Sequence, residues 1–193
     1  MNNKLIGSHN SWSYLNPKQW YFRPFAWMAK CQSLTIREQY EKGIRFFDLR
    51  VRLNWAGVVK PVHGLTEYKG YIIDDLLWLN MHKGCTVRIL LDMRNLTWTM
   101  NKVDRAKEQA KQIVRFKDFI EHAQQSLPNV NIVDCYTMPG WEKVLDVPDA
   151  DILDKSAAKA KLWAVWPWLY AKTHNKKHRK NNTTTILLDY IQL

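Results

Sequence analysis

Four residues of this chain have side chains suited to acid–base chemistry at phosphorus. His9 and His63 lie in separate short segments, and Asp48 and Arg50 lie between them. One neutral histidine can take a proton from a nucleophilic hydroxyl, a protonated one can give a proton to the leaving oxygen, and an arginine can stabilise the added negative charge. The residues therefore predict phosphodiester cleavage. They leave open whether the hydroxyl belongs to water, a ribose or an inositol.

A strand over 45–53 must position the central pair of these residues. Successive strand side chains point to opposite faces of a sheet. One face carries Phe46, Asp48, Arg50 and Arg52, and the other carries Phe47, Leu49, Val51 and Leu53. Because the apolar face must pack against the interior, the charged face is left for a site beside the two histidine segments.

The other predicted elements alternate between strands and helices. Strands are predicted over 4–8, 58–63, 86–95, 131–136, 161–166 and 183–193, and helices over 35–42, 73–81 and 102–127. This alternation is typical of an α/β fold with parallel strands. The strand over 86–95 repeats the two-faced pattern, with Arg88, Asp92 and Arg94 on its charged face. Two such strands favour a barrel whose helices cover the apolar side.

Length and composition narrow the class of protein. With 193 residues, 46% of them hydrophobic, we expect one domain with a sizeable core. The net charge of +11 favours a polyanionic partner, such as an anionic membrane, a phosphorylated lipid or nucleic acid, although a solvated basic surface is the alternative. Three widely spaced cysteines indicate reduced structural thiols. No signal-peptide core or membrane-spanning apolar run is found, which predicts a cytoplasmic or peripheral membrane location.

Three motifs, taken together, resemble the X domain of the phosphatidylinositol-specific phospholipase C family. They are His9-Asn10-Ser11, the segment GIRFFDLRVR over 43–52, and Val62-His63-Gly64. Their order and the separation from Asp48 to His63 match the family, and LDYI over 188–191 resembles its last, acid-bearing strand. The resemblance implies a compact, distorted or incomplete TIM-like (β/α) barrel that forms a single catalytic domain over 1–193.

The resemblance also implies a catalytic role for five residues. His9 would be the general base for the inositol 2-hydroxyl, and His63 the general acid for the diacylglycerol leaving group. Asp189 would orient His9, Arg50 would stabilise charge on the phosphate, and Asp48 would lie between these groups. The implied products are a cyclic inositol phosphate and diacylglycerol.

The resemblance further predicts that no metal cofactor is used. Eukaryotic members hold calcium through an Asn after the first His and through carboxylates, but here Arg50 and Arg94 stand where two of those acids would be. Calcium prefers six to eight oxygen ligands, and two arginines would repel it. The bacterial, metal-independent type is therefore favoured.

Bacterial members usually have Asp where this chain has Asn10, and an amide cannot raise the pKa of His63 as a carboxylate would. Either Asp48 compensates or activity is low.

Substrate recognition is assigned to three residues. Asn10 follows the first histidine, and Asp92 and Arg94 project from the charged face of the strand over 86–95. Asp92 and Arg94 could hold inositol hydroxyls or phosphate. They could equally form a buried structural ion pair with each other.

Two aromatic segments predict contact with a membrane surface. The first contains Trp20 and Trp27, and the second contains Trp166 and Trp168. Tryptophan settles well at membrane interfaces, and nearby lysines attract anionic headgroups. Core packing is the alternative for both segments, since aromatic side chains fill interiors efficiently. The predicted partners are a phospholipid substrate and an anionic membrane surface, with the oligomeric state open.

Two other functions compete with lipid cleavage. A ribonuclease-like enzyme that forms a cyclic phosphate would use the same internal attack, but no RNA-binding motif is recognisable and a nucleic-acid partner is not favoured. A non-catalytic module that binds anionic lipid is the third possibility. The products separate the first two functions, and liposome binding without turnover would identify the third.

Overall fold

The computed structural model describes residues 6–54, 56–64, 66–92, 101–136, 167–180 and 186–193. Its strands are β1 (Ile6–Ser8), β2 (Phe46–Leu53), β3 (Val59–His63), β4 (Thr66–Glu67), β5 (Cys85–Leu91), β6 (Val130–Tyr136) and β7 (Ile186–Leu188). A 3₁₀ helix spans Trp20–Phe25, and the α-helices are α1 (Ala26–Ala29), α2 (Ile36–Glu41), α3 (Ile72–Asn80), α4 (Lys102–Ser126) and α5 (Pro167–Arg179).

The strands form one mixed sheet. Its parallel part has the order β7-β1-β2-β5-β6. β3 pairs antiparallel with the end of β2, and β4 pairs antiparallel with β3. The predicted α/β class is therefore confirmed, whereas the antiparallel course of β3 was not expected. Within the described residues β6 and β7 do not pair with each other, so a closed barrel is not shown.

The apolar face of β2 lies in the hydrophobic core, as its alternation predicts. Phe47, Leu49 and Val51 are fully buried there with the apolar residues of β5. Helix α4 covers this side of the sheet with Phe116, Ile120 and Ala123. The opposite face of β2 is buried too, but with charged residues, and it leads to the candidate site.

Local sequence signals set the ends of several elements. Thr35 caps α2 through a capping box with Glu38, and Gly43, at a φ of 86°, provides the left-handed turn into β2. Gly7 lies where β1 packs closely against its neighbouring strands. A Cβ at this position would collide with the Leu187 side chain. In the segment 183–193 only Ile186–Leu188 is a described strand. The strand predicted over 161–166 lies outside the described residues.

The longest described helix is α4, and its many charged residues are typical of a helix at the protein surface. Among the residues that the structure describes, no helix combines the length and the apolar character needed to cross a membrane.

Candidate active site

The edge of β2 brings the two histidine segments together. β5 runs along one edge of β2, so β1 and β3 share the other edge, with Phe46 beside Gly7 and Val51 beside Pro61. β1 is parallel to β2 and β3 is antiparallel to it, so the carboxyl ends of β1 and β3 point toward each other. His9 follows the end of β1 and His63 ends β3, and their rings are in an edge-to-face arrangement with centroids 5.9 Å apart and planes at 88°.

Asp48 is fully buried between two arginines on the charged face of the sheet. The parallel register sets Asp48 opposite Arg88 of β5. Arg88 donates from both Nε and Nη2 to Asp48 Oδ1, each at 2.9 Å. Arg50 Nε donates to Asp48 Oδ2 at 3.3 Å. The carboxylate therefore links the predicted phosphate-binding arginine to a second cation.

This environment determines the charge of Asp48. Burial by itself raises the pKa of its carboxyl group, but Arg88 and Arg50, aided by His9 and the backbone N–H of Asn10, outweigh that effect. The pKa of Asp48 is held well below its usual range. Asp48 is therefore a fixed negative charge near neutral pH and not a proton donor.

Both ring nitrogens of His9 have partners. His9 Nδ1 lies 2.6 Å from Asp189 Oδ1, and His9 Nε2 lies 2.5 Å from Arg50 Nη2. A guanidinium can only donate, so Nε2 must be the acceptor and Nδ1 must carry the proton that is donated to Asp189. The ring is thus held as the tautomer whose basic nitrogen, Nε2, faces the cationic side of the site.

His63 is oriented by a backbone carbonyl. Its Nδ1 lies 2.8 Å from the carbonyl oxygen of Ala29, which can only accept, so Nδ1 carries a proton. The ring is partly exposed. Its other nitrogen, Nε2, is the one that can gain and lose a proton during a reaction.

The turn after His63 is held by Asp92 and Arg52. Asp92 Oδ2 accepts from the backbone N–H of Gly64 at 3.0 Å, and Arg52 Nη2 donates to the Gly64 carbonyl at 2.9 Å. Asp92, a predicted substrate-binding residue, is completely buried and contacts this turn. Arg94, its predicted companion, lies outside the described residues.

Asn10 adopts a left-handed backbone conformation with a φ of 41°. Its N–H donates to Asp48 Oδ2 at 3.0 Å, which ties the first histidine segment to β2. Its side-chain Oδ1 and Nδ2 are buried without a hydrogen-bond partner among the described residues.

Sequence reasoning missed three residues that support this cluster. Gln32 Nε2 donates to the carbonyls of His9 and Leu188, and Asn175 Nδ2 donates to the carbonyl of Asp189. No local sequence pattern indicates the roles of Gln32 and Asn175, because the carbonyls to which they donate belong to residues that are distant in sequence. Arg88 was visible on the charged face of its strand but was given no role, because the register that sets it against Asp48 could not be read from the sequence.

Three of the four tryptophans predicted to contact a membrane are described, and all three are exposed. Trp20 is 76% exposed, Trp27 44% and Trp168 37%. Trp27 is in α1 and Trp168 is in α5, two helices that contact each other. Lys172 lies over the Trp168 ring at 5.0 Å from its centroid. Trp166 lies outside the described residues.

Comparison with known proteins identifies structural relatives. No family model and no curated protein matches the sequence. A mutant of the Staphylococcus aureus phosphatidylinositol-specific phospholipase C matches with a TM-score of 0.57 at 17% identity, over 98% of this chain and 85% of that one. The Listeria monocytogenes phosphatidylinositol-specific phospholipase C matches with a TM-score of 0.53 at 15% identity, over 97% of this chain and 88% of that one. At such identities the likeness shows a shared fold.

Proposed function

We propose that this chain is a single catalytic domain over 1–193 that cleaves phosphatidylinositol-type lipids to diacylglycerol and a cyclic inositol phosphate. The observation that carries the proposal is the adjacent pair of His9 and His63, one tied to Asp189 and to Arg50, in a fold shared with bacterial phosphatidylinositol-specific phospholipases C. Two adjacent histidines can serve an in-line displacement, in which one takes the proton of the attacking oxygen and the other protonates the leaving oxygen.

In the proposed reaction His9 Nε2 accepts the proton of the inositol 2-hydroxyl. That oxygen forms a bond to phosphorus as the bond from phosphorus to the diacylglycerol oxygen breaks. His63 gives a proton to the departing oxygen, so His9 ends protonated and His63 ends neutral. Asp189 keeps the basic nitrogen of His9 turned toward the substrate and stabilises the imidazolium that forms.

The cationic groups of the site would stabilise the transition state. Arg50 is the group nearest to His9 Nε2, and it would turn from that nitrogen to a non-bridging phosphate oxygen when the substrate binds. Asp48 and Arg88 are buried behind it and hold its position. We propose that these fixed charges replace a metal ion in the reaction. In the same scheme Asn10, Asp92 and Arg94 are the proposed substrate-binding residues. Asn10 and Asp92 are completely buried, so they would act by holding the turns that follow β1 and His63.

The exposed tryptophans support a peripheral membrane interaction. Trp20, Trp27 and Trp168 place aromatic rings at the surface, where solvent exposure is costly unless a partner covers them. The basic character of α5 and the net charge of +11 would attract anionic headgroups. A lipid surface satisfies both features. It would also deliver the substrate.

Phosphorus NMR with phosphatidylinositol micelles tests the proposal directly. We expect a cyclic phosphodiester signal in EDTA that is lost in His9→Ala and in His63→Ala. It should persist in His122→Ala, which removes an exposed histidine of α4. If no signal forms with or without calcium, the lipid proposal fails. Cyclic ends on an RNA substrate would then favour the ribonuclease-like alternative, and vesicle binding alone would favour a lipid-binding module.

A further inference from the structure

A cysteine lies beside the two adjacent histidines. Cys31 is buried, and its Sγ is 4.0 Å from His63 Nδ1. One nitrogen of His9, one nitrogen of His63 and Cys31 Sγ all lie within 4.8 Å of one another. We propose that these three residues bind a thiophilic divalent cation such as Zn²⁺, and that the bound cation inhibits the enzyme. The inhibitory part rests on the function proposed above.

The separations are close to those of a zinc site. With Zn–N bonds of about 2.0–2.1 Å and a Zn–S bond of about 2.3 Å, ligand atoms in a tetrahedron are about 3.3–3.6 Å apart. The cluster therefore has to contract by roughly 1 Å at its widest separation. Rotation of the His63 and Cys31 side chains can supply this, since His63 is partly exposed. The fourth position would be filled by water or by a phosphate oxygen.

The groups around the cluster orient it as ligands. Metal-bound histidines usually donate their other N–H to a carboxylate or a carbonyl. His9 already donates from Nδ1 to Asp189, so a cation would bind Nε2 in place of Arg50. Cys31 is fixed by its backbone, since its N–H donates to Ser13 Oγ at 2.9 Å and its carbonyl accepts from the Tyr190 N–H at 2.6 Å. The site is thus assembled from segments that are already tied together.

The ligand types select the metal. Two imidazoles and a thiolate suit Zn²⁺ and similar ions, whereas Ca²⁺ and Mg²⁺ prefer oxygen. Binding requires Cys31 to lose its thiol proton to solvent and Arg50 to leave His9 Nε2. It also requires His63 to ligate through Nε2, because its Nδ1 carries the proton that is donated to the Ala29 carbonyl. The new thiolate, Asp48 and Asp189 supply three negative charges against the four positive charges of the cation, Arg50 and Arg88, so one positive charge remains for an anionic fourth ligand such as a phosphate oxygen. Arg50 keeps its contact with Asp48 when it moves.

A cation bound to His9 and His63 would stop the proposed reaction, because both histidines are needed for proton transfer. The cation would hold the nitrogen that accepts the hydroxyl proton and would also hold the ring that supplies a proton to the leaving group. Neither histidine could then transfer a proton. A chelator would reverse the inhibition, so EDTA should raise the activity of protein that has taken up zinc.

Cobalt titration tests the site without any reference to activity. In reduced, chelator-washed protein, Co²⁺ should produce a sulfur-to-cobalt charge-transfer band that saturates at one equivalent and is displaced by Zn²⁺. Cys85→Ala removes another buried cysteine and should leave this band unchanged. Cys31→Ala and Cys31→Ser should abolish it. Loss of an orienting residue typically costs 10–100-fold in metal affinity, so loss of a direct ligand should exceed about a hundredfold.

The outcomes separate the metal site from the proposed function. A wild-type spectrum without the charge-transfer band, or a band that survives in folded Cys31→Ser, overturns the site. If the lipid is cleaved and saturating Zn²⁺ leaves turnover unchanged, inhibition is overturned. If no lipid is cleaved under any condition, the proposed function fails, and the cobalt spectrum still decides whether the three residues bind a metal.

Discussion

Asp189 Oδ1 lies 2.6 Å from His9 Nδ1, although the two residues are separated by 180 positions in the chain. The contact follows from topology, because β7 pairs in parallel with β1 and both strands end at the same edge of the sheet. Asn175 and Gln32 hold the backbone on both sides of the pair. The first and last described strands are thus joined at the candidate site.

Replacing Asp189 by Asn should impair the reaction while preserving the fold. An amide can reverse the tautomer of His9 and cannot stabilise the imidazolium, so we expect kcat to fall by about a hundredfold or more. KM should change little, because Asp189 contacts His9 rather than the lipid. Steady-state kinetics measure both constants. Asp118→Asn, on exposed α4, is the control and should match wild type. Equal kcat values for the two variants would exclude an orienting role for Asp189.

Replacing Asp48 by Asn should destabilise the protein. The change leaves Arg50 and Arg88 buried without their shared counter-charge. Removing one partner from a buried ion pair costs about 3–5 kcal/mol in the free energy of unfolding. Urea unfolding followed by circular dichroism measures the loss.

The surface pair of Lys18 and Glu67 gives the matched control for this prediction. Lys18 Nζ lies 2.8 Å from Glu67 Oε1, but the lysine is largely exposed. Glu67→Gln should therefore cost only about 0.2–1 kcal/mol. Adding Arg88→Met to Asp48→Asn should restore part of the lost stability by removing one of the two uncompensated cations. A double variant less stable than Asp48→Asn would contradict this account.

Much of the fold could be predicted from local patterns. The two-faced alternation of β2 predicted both the strand and the division between core and charged side chains, and the periodicity over 102–127 predicted α4. These signals are readable because side-chain direction repeats within an element. The antiparallel course of β3 left no such mark, because strand direction depends on pairing between distant segments.

The candidate site was predictable in its residues but not in its geometry. His9, His63 and Asp48 were singled out by type and spacing, and the structure brings them together. Arg88 and Cys31 were not assigned to the site. Their proximity depends on the register of β5 against β2 and on the contact of Cys31, which follows α1, with His63. Neither is encoded locally.

The cap of α2 should make stability depend on pH. Glu38 accepts from the backbone N–H and the hydroxyl of Thr35, and these hydrogen bonds lower its pKa from the ordinary value of 4.5. A lowered folded-state pKa contributes stability above the unfolded-state pKa and loses it as the pH falls through the folded-state value. Glu38→Gln keeps an acceptor but has no charge to lose. The melting temperature of wild type should therefore exceed that of the variant near neutral pH.

Circular dichroism melts at a series of pH values check this prediction. The difference between wild type and Glu38→Gln should begin to shrink as the pH falls through the ordinary glutamate value of 4.5. It should be smallest below the lower folded-state pKa, where Glu38 is protonated in both folded and unfolded chains. Glu41→Gln, at the other end of the same helix, should show no such convergence because Glu41 does not form the capping box. A difference that stays constant down to strongly acidic pH would show that the cap does not depend on the charge.

Trp20→Ala should weaken binding to anionic vesicles. The Trp20 side chain is 76% exposed, so its removal disturbs little of the core while deleting a ring suited to the membrane interface. We expect a loss of about 1.4 kcal/mol, or about tenfold in affinity, for vesicles that contain phosphatidylglycerol. Met81→Ala is the matched control, since Met81 is 72% exposed but lies just before β5, at the amino ends of the parallel strands and away from the site. Sedimentation should show weaker binding only for Trp20→Ala. Equal losses for both variants would mean that general surface hydrophobicity, rather than this aromatic segment, drives the association.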